Sequence, residues 1–172
     1  MTMYNSRVHP SPIGDLTIIA GTDGIRQVRF AMPDGSPAGG SGVPADMEPA
    51  AEVERHLAEA GHQLDEYFAG ERHDFDLVLD PVGTEFQLRA WSALRQISYG
   101  TTATYGQQAA RIGSPAAVRA VGAANGRNPI PIIVPCPRVV GADGSLTGFG
   151  GGLAAKRFLL DLESGTAALS LF

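Results

Sequence analysis

Apolar and polar residues alternate along DLTIIAG (15–21) and again along IRQVRF (25–30), with the turn formers Thr22, Asp23 and Gly24 between them. That pattern predicts a β-hairpin. From Pro33 to Pro44 the run PDGSPAGGSGVP has the composition of a loop. Helical spacing follows. Val53, Leu57, Ala60, Leu64 and Phe68 recur three or four residues apart, which predicts an amphipathic helix from about Met47 to Phe68. Phe75 to Leu79 alternates acidic and apolar residues and reads as a further strand.

At Thr84 the pattern changes. Thr84 followed by Gln87 has the form of a capping box and opens a helix with Phe86, Ala90, Trp91, Leu94 and Ile97 on one face, closed by Tyr99 and Gly100. A second short helix is expected over Thr104 to Ile112, ended by Gly113. Ser114 is then placed to cap a third, with Pro115 in its first turn. Two short helices joined by a tight Gly-Ser turn have the shape of a helix-turn-helix. The third helix, PAAVRAVGAAN, is rich in small residues, so it can approach a groove closely with Arg119 as its one long probe; a packed, alanine-rich helix with a surface arginine is the other reading. A glycine run, Gly148 to Gly152, precedes a last helix bearing Ala155, Phe158, Leu159 and Leu162, with Glu163 near its end. This run matches neither the dinucleotide fingerprint nor the P-loop, and is read as a flexible loop with accessible amides. The predicted architecture is an N-terminal α+β domain over residues 1–83, a small antiparallel sheet with a helix, followed by a mainly α-helical domain over residues 84–172 that contains the helix-turn-helix.

The chain has 172 residues, 44% of them hydrophobic, which suffices for globular cores. No signal-peptide pattern opens it, and its apolar runs fall far short of the about 20 residues a membrane span needs, so a cytoplasmic protein without membrane contact is expected. Net charge is −5, but it is unevenly spread. Residues 1–85 carry five arginines against fifteen acids, and residues 86–172 carry eight basic residues against three acids. The basic half is suited to meeting an anion, of which a nucleic-acid backbone is the commonest large example; two solvated faces of different charge is the alternative.

One cysteine is present, Cys136, in NPIPIIVPCPRVVG (128–141). It has no partner for an internal disulfide and no companions for a thiolate zinc site. It is therefore a nucleophile or an inert small hydrophobe. Asn128, Pro129, Pro131, Pro135 and Pro137 exclude helix and central strand around it, because each proline removes an amide donor and holds its predecessor extended. The thiol is thus presented on a rigid, non-repetitive segment. His9, His56, His62 and His73 all lie in the first half, and no metal site is expected; neither is a cofactor.

Read together, FQLRAWSALRQISYG, TYGQQAA, AAVRAVGAANGRNPIPIIVPCPRVVGADGSLTGFGGG and KRFLLDLE resemble, in order and spacing, the alkylguanine-DNA alkyltransferases over Thr84 to Glu163. SPIGDLTI and LDEYFAGER are similar to the N-terminal domain of bacterial members. The resemblance implies direct DNA repair, in which the alkyl group on O6 of guanine moves to Cys136 in a single, self-inactivating turnover. It implies a monomer that binds double-stranded DNA through the minor groove, with further repair factors as possible partners. Glu163 would end the hydrogen-bond network of the cysteine. Tyr105, Arg119, Ala120, Asn128 and Arg138 are implied on the DNA side, with Arg119 filling the stack in place of the extruded nucleotide, Tyr105 crowding the target phosphate, and Asn128 holding the turn before the cysteine segment. Val139, Phe149, Gly150 and Gly151 would line the guanine pocket, with backbone groups of Cys136, Val139 and Gly150 reading the base edge.

One departure bears on the chemistry. The family pattern is PCHRV, and here Pro137 stands at the histidine that relays the proton of the cysteine. Phe149 likewise stands where tyrosine is common. Losing a general base costs about 10²- to 10⁴-fold in rate. Three readings follow: an alkyltransferase slowed by Pro137, with Cys136 activated by Arg138, by water on Glu163 or by a helix terminus; a non-catalytic alkyltransferase-like protein that binds and flips the lesion; and a cysteine enzyme acting away from DNA. Retention of Cys136 favours the first over the second, and Arg119, Tyr105 and the basic half disfavour the third.

Overall fold

The computed structural model describes residues 3–36 and 50–165, and the chain divides into two compact units, Met1–Val82 and Gly83–Phe172. In the first unit the predicted hairpin is present as β2 (Leu16–Gly21) and β3 (Gly24–Phe30), antiparallel and irregular between Ile19 and Ala20. A further strand, β1 (Tyr4–His9), pairs antiparallel with β2, giving the order β1-β2-β3. Every residue of the central strand β2 is buried. Helix α1 (Ala51–Phe68) packs on this sheet through Val53, Leu57, Ala60 and Leu64, as its spacing predicts. The stretch from Met47 to Pro49 and most of the glycine-rich loop lie outside the described residues.

Phe75 to Leu79 does not form a strand. Its backbone is satisfied in other ways: Gln63 exchanges hydrogen bonds with Asp76 through its side-chain amide, at 2.8 and 3.0 Å, and Ile25 alone pairs with this segment, donating to Val78 O and accepting from Asp80 N, both at 2.8 Å. Gly24 makes that approach possible, since φ is +136° and a Cβ there would lie 2.6 Å from the Val78 carbonyl oxygen.

The second unit is built of α2 (Glu85–Leu94), α3 (Tyr105–Arg111), α4 (Val118–Gly126) and α5 (Leu153–Ser164), with a short parallel pair, β4 (Ala103–Thr104) and β5 (Val139–Val140). Capping boxes start α2 (Thr84 with Gln87) and α3 (Thr104 with Gln107). Helix α2 stops at Leu94, so Ile97 is buried from the turn that follows rather than from the helix face. Helix α4 starts at Val118 and not at Ser114: Ala117 N donates to Ser114 O at 2.9 Å, closing a turn over Ser114–Ala117, and no side chain caps the helix. Among the described residues, no helix is long and apolar enough to cross a membrane.

Three buried polar contacts fix the helices against one another. Trp91 Nε1 donates to Ala124 O at 2.8 Å and ties α2 to α4. Gln108 and Asn125 exchange amide hydrogen bonds at 2.9 and 2.7 Å, and Gln108 Nε2 also reaches Ala90 O at 3.1 Å. Because buried amides are costly to leave unpaired, this trio selects one arrangement of α2, α3 and α4.

Candidate active site and nucleic-acid interface

The segment before Cys136 is shaped by Asn128. Its side chain accepts from Ile130 N at 3.0 Å and donates to Val134 O at 2.8 Å, so one amide closes the loop between them. Inside that loop Ile132 has φ +75°, an unfavourable conformation for a β-branched residue. Ile130, Ile132, Ile133 and Val134 are all buried, which holds the strained loop in place. Cys136 N then donates to Val134 O at 2.8 Å, and Cys136–Arg138 form a single 3₁₀ turn.

Beyond the turn, β5 pairs with β4 in the register Ala103 to Val139 and Thr104 to Val140. Tyr105 is the first residue of α3, directly after β4, so this pairing joins the cysteine turn to the tyrosine. Tyr105 Oη donates to Thr147 O at 3.3 Å and accepts from Thr147 Oγ1 at 3.1 Å. Gly122 of α4 faces the same ring, where a Cβ would lie 3.9 Å from it. Arg119, Ala120 and Ala123 are exposed on α4, while Val121, Ala124 and Asn125 are buried, so the arginine projects from a surface of small side chains.

Arg138 occupies a different place from the DNA-facing one expected for it. It is 5% exposed, and its Nε donates to Glu163 Oε1 at 2.7 Å and its Nη1 to Ile97 O at 2.6 Å. Its guanidinium also stacks 5.8 Å from the centroid of Tyr99. A side chain so committed braces the interior and cannot reach out to a phosphate. Glu163 Oε1 additionally accepts from Gly100 N at 3.2 Å. Gly100, at φ +76°, is suited to this closeness, since a Cβ there would lie 3.1 Å from the Glu163 carbonyl oxygen.

Burial pushes the Cys136 thiol up to about 11 from its ordinary 9.0, and the Asn128 side chain and the Lys156 charge, in that order, oppose the rise. Lys156 was not singled out from the sequence. It is 1% exposed on α5, and its Nζ donates to Val139 O at 2.7 Å and to Thr147 O at 2.8 Å. Val139, expected to present its backbone to the base edge, therefore already shares its carbonyl with Lys156. The signal in the sequence was that this is the only lysine of the chain. Phe149 and Gly151 are half-buried and Gly150 is exposed, in the turn that leads to Gly152 at the start of α5.

The chain matches two family models, the 6-O-methylguanine DNA methyltransferase ribonuclease-like domain over residues 3–81 and the DNA-binding domain of the same family over residues 85–165. A methylated-DNA--protein-cysteine methyltransferase of Methanosarcina acetivorans is 47% identical over 156 residues, 91% of this chain and 96% of its own length. One of Mycobacterium tuberculosis is 46% identical over 169 residues, 98% of each chain. The crystal structure of the Mycobacterium tuberculosis OGT in complex with DNA is similar with a TM-score of 0.78 at 45% identity, covering 95% of this chain and 94% of the other. With both halves matched in order and near-full-length relatives well above 30% identity, the chain belongs to the 6-O-methylguanine DNA methyltransferase family.

Proposed function

We propose that this protein repairs O6-alkylguanine in double-stranded DNA by moving the alkyl group to Cys136. The observation that carries the reading is the β4–β5 pairing, which joins the segment that follows Cys136 to the strand leading into Tyr105 at the head of the helix-turn-helix. An O6 substituent lies within the base stack, so the nucleotide must leave the duplex before a thiol can reach it. Arg119, projecting from the small-residue surface of α4, fills the gap left in the stack. Small residues around it allow close approach to the minor groove, which carries little sequence information and suits a protein that must find a lesion in any context. Tyr105 stands at the phosphate of the extruded nucleotide, and the turn from Phe149 to Gly151 forms one wall of the pocket.

In the reaction the sulfur attacks the alkyl carbon, the carbon–O6 bond breaks, and O6 takes the bonding electrons; the protein keeps a thioether. Pro137, which stands where the family pattern has histidine, supplies no proton acceptor, and the elevated thiol pKa favours as a second reading a lesion binder that transfers nothing. A duplex carrying a labelled O6-methylguanine separates the two. Label should pass to the protein and not to Cys136→Ser, while that variant still binds the lesion duplex in preference to an unmodified one. Selective binding without any transfer by the parent protein would establish the second reading.

A further inference from the structure

Tyr105 is fixed at three points. Its backbone opens α3 directly behind the capping residue Thr104, and its ring lies against Gly122 of α4, where a Cβ would be 3.9 Å away. The third point is the hydroxyl. Among the described residues its one partner is Thr147, and the two residues share two hydrogen bonds: Tyr105 Oη donates to Thr147 O at 3.3 Å and accepts from Thr147 Oγ1 at 3.1 Å. Their direction is not arbitrary. A carbonyl only accepts, so the single phenol proton points to Thr147 O, and the Thr147 hydroxyl is the donor of the other bond.

Thr147 is in turn held from behind. Its carbonyl also accepts from Lys156 Nζ at 2.8 Å, and the same Nζ donates to Val139 O at 2.7 Å. Val139 pairs with Ala103, two residues before Tyr105, so the contacts close a ring through α3, Thr147, α5, β5 and β4. Lys156 and Val139 are buried in that ring, at 1% and 0% exposure, whereas Thr147 is exposed. Among the described residues the Thr147 hydroxyl has no partner other than Tyr105. An exposed hydroxyl with a single side-chain bond contributes little to the fold; what it sets is the orientation of the phenol.

The two bonds differ in what they permit. The phenol donates over the longer of them, to a neutral carbonyl already shared with Lys156. Bonds to an anionic acceptor are shorter and roughly twice as strong. A phosphate oxygen therefore draws the phenol proton away from Thr147 O, while the Thr147 hydroxyl goes on holding the phenol oxygen. We propose that Thr147 is the positioning residue of Tyr105: its hydroxyl occupies the acceptor side of the phenol and so presents the phenol proton to the phosphate of the extruded nucleotide. The inference rests on the reading of Tyr105 as the residue at that phosphate.

Thr147→Val keeps the shape and the carbonyl of the residue and removes the hydroxyl; Thr147→Ser keeps the hydroxyl. Both are placed in the full chain with Cys136→Ser, so that binding is read without alkyl transfer, and each is checked for folding by its thermal transition. Affinity is measured for a duplex with one O6-methylguanine and for the unmodified duplex, with Tyr105→Phe and the combined Tyr105→Phe/Thr147→Val protein in parallel. Thr147→Val should lower the preference for the lesion duplex by about 2- to 10-fold, the effect of one net hydrogen bond. Thr147→Ser should restore that preference, and Thr147→Val should cost nothing further in the Tyr105→Phe background. A Thr147→Val protein that keeps the parent's preference, or that loses affinity equally for both duplexes, overturns the proposal, as does full additivity of the two substitutions. If Tyr105→Phe itself keeps the parent's preference, the placement of Tyr105 at the phosphate falls and the proposal with it. If Tyr105→Phe loses preference while Thr147→Val keeps it, only the proposal falls.

Discussion

Glu163 receives Arg138 Nε at 2.7 Å, with the two side chains only 5% and 6% exposed, and this pair closes the C-terminal unit around the cysteine turn. Arg138 comes from the turn itself and Glu163 from the last turn of α5, so the bond ties the cysteine-bearing segment to the final helix. Removing one partner strands a buried charge. Glu163→Gln is expected to destabilise the protein by about 3–5 kcal/mol in denaturant unfolding, while replacing both, Arg138→Met with Glu163→Leu, should cost much less. Equal losses in the single and double variants would show that the charges are not coupled.

The amide exchange between Gln108 and Asn125 leads to a similar expectation for the helix-turn-helix. Gln108→Ala leaves the Asn125 amide buried and unpaired, at a cost of about 1–3 kcal/mol. Unfolding monitored by Trp91 fluorescence reports on this unit, since the indole is itself bonded to α4.

Alkyl transfer and stability should respond to pH in opposite directions. Since the thiol is pushed up to about 11, the thiolate fraction, and with it the transfer rate, should rise as pH increases above neutral. For stability, the unfolded thiol releases its proton near 9.0 while the folded one keeps it to about 11. Between those values the native state binds more protons, so the contribution of Cys136 is complete below pH 9 and is lost as pH climbs through that window. Lys156, whose folded pKa is depressed, acts in the opposite sense, as the native state binds fewer protons below its ordinary 10.5. Chemical denaturation of the parent and Cys136→Ser across this range isolates the thiol: the parent should lose more stability than the variant.

Arg119 is exposed, so Arg119→Ala should leave stability within about 0.5 kcal/mol of the parent. In the role proposed for it, its effect would belong to the extruded state, where a side chain offsets unstacking worth about a few kcal/mol. Lesion-selective binding and transfer should each fall by at least an order of magnitude, and a fluorescent base at the target position should report less extrusion. Unchanged fluorescence would remove Arg119 from that role.

Legibility of the sequence differed between elements for physical reasons. Capping boxes at Thr84 and Thr104 are local, and both helices start where those residues stand. Strand β1 carries no apolar alternation because Tyr4–His9 lies at a sheet edge with no residue fully buried, so its pairing depends on β2. Ser114 and Pro115 have the chemistry of a helix start, yet they form the preceding turn, and the helix that buries Val121, Ala124 and Asn125 begins only at Val118. At the site, Cys136 stood out by its isolation between prolines. Arg138 could not be sorted from surface arginines without seeing Glu163 beside it, and Lys156, although it opens the KRFLLDLE run, carried only the signal of being the one lysine of the chain.

The most direct measurement is the intact mass of the protein after incubation with a duplex carrying one O6-methylguanine, with Cys136→Ser in parallel. A stoichiometric gain of one methylene equivalent, mapped to the peptide bearing Cys136 and missing from the variant, is the predicted result. Tight, lesion-selective binding with no change of mass would contradict it.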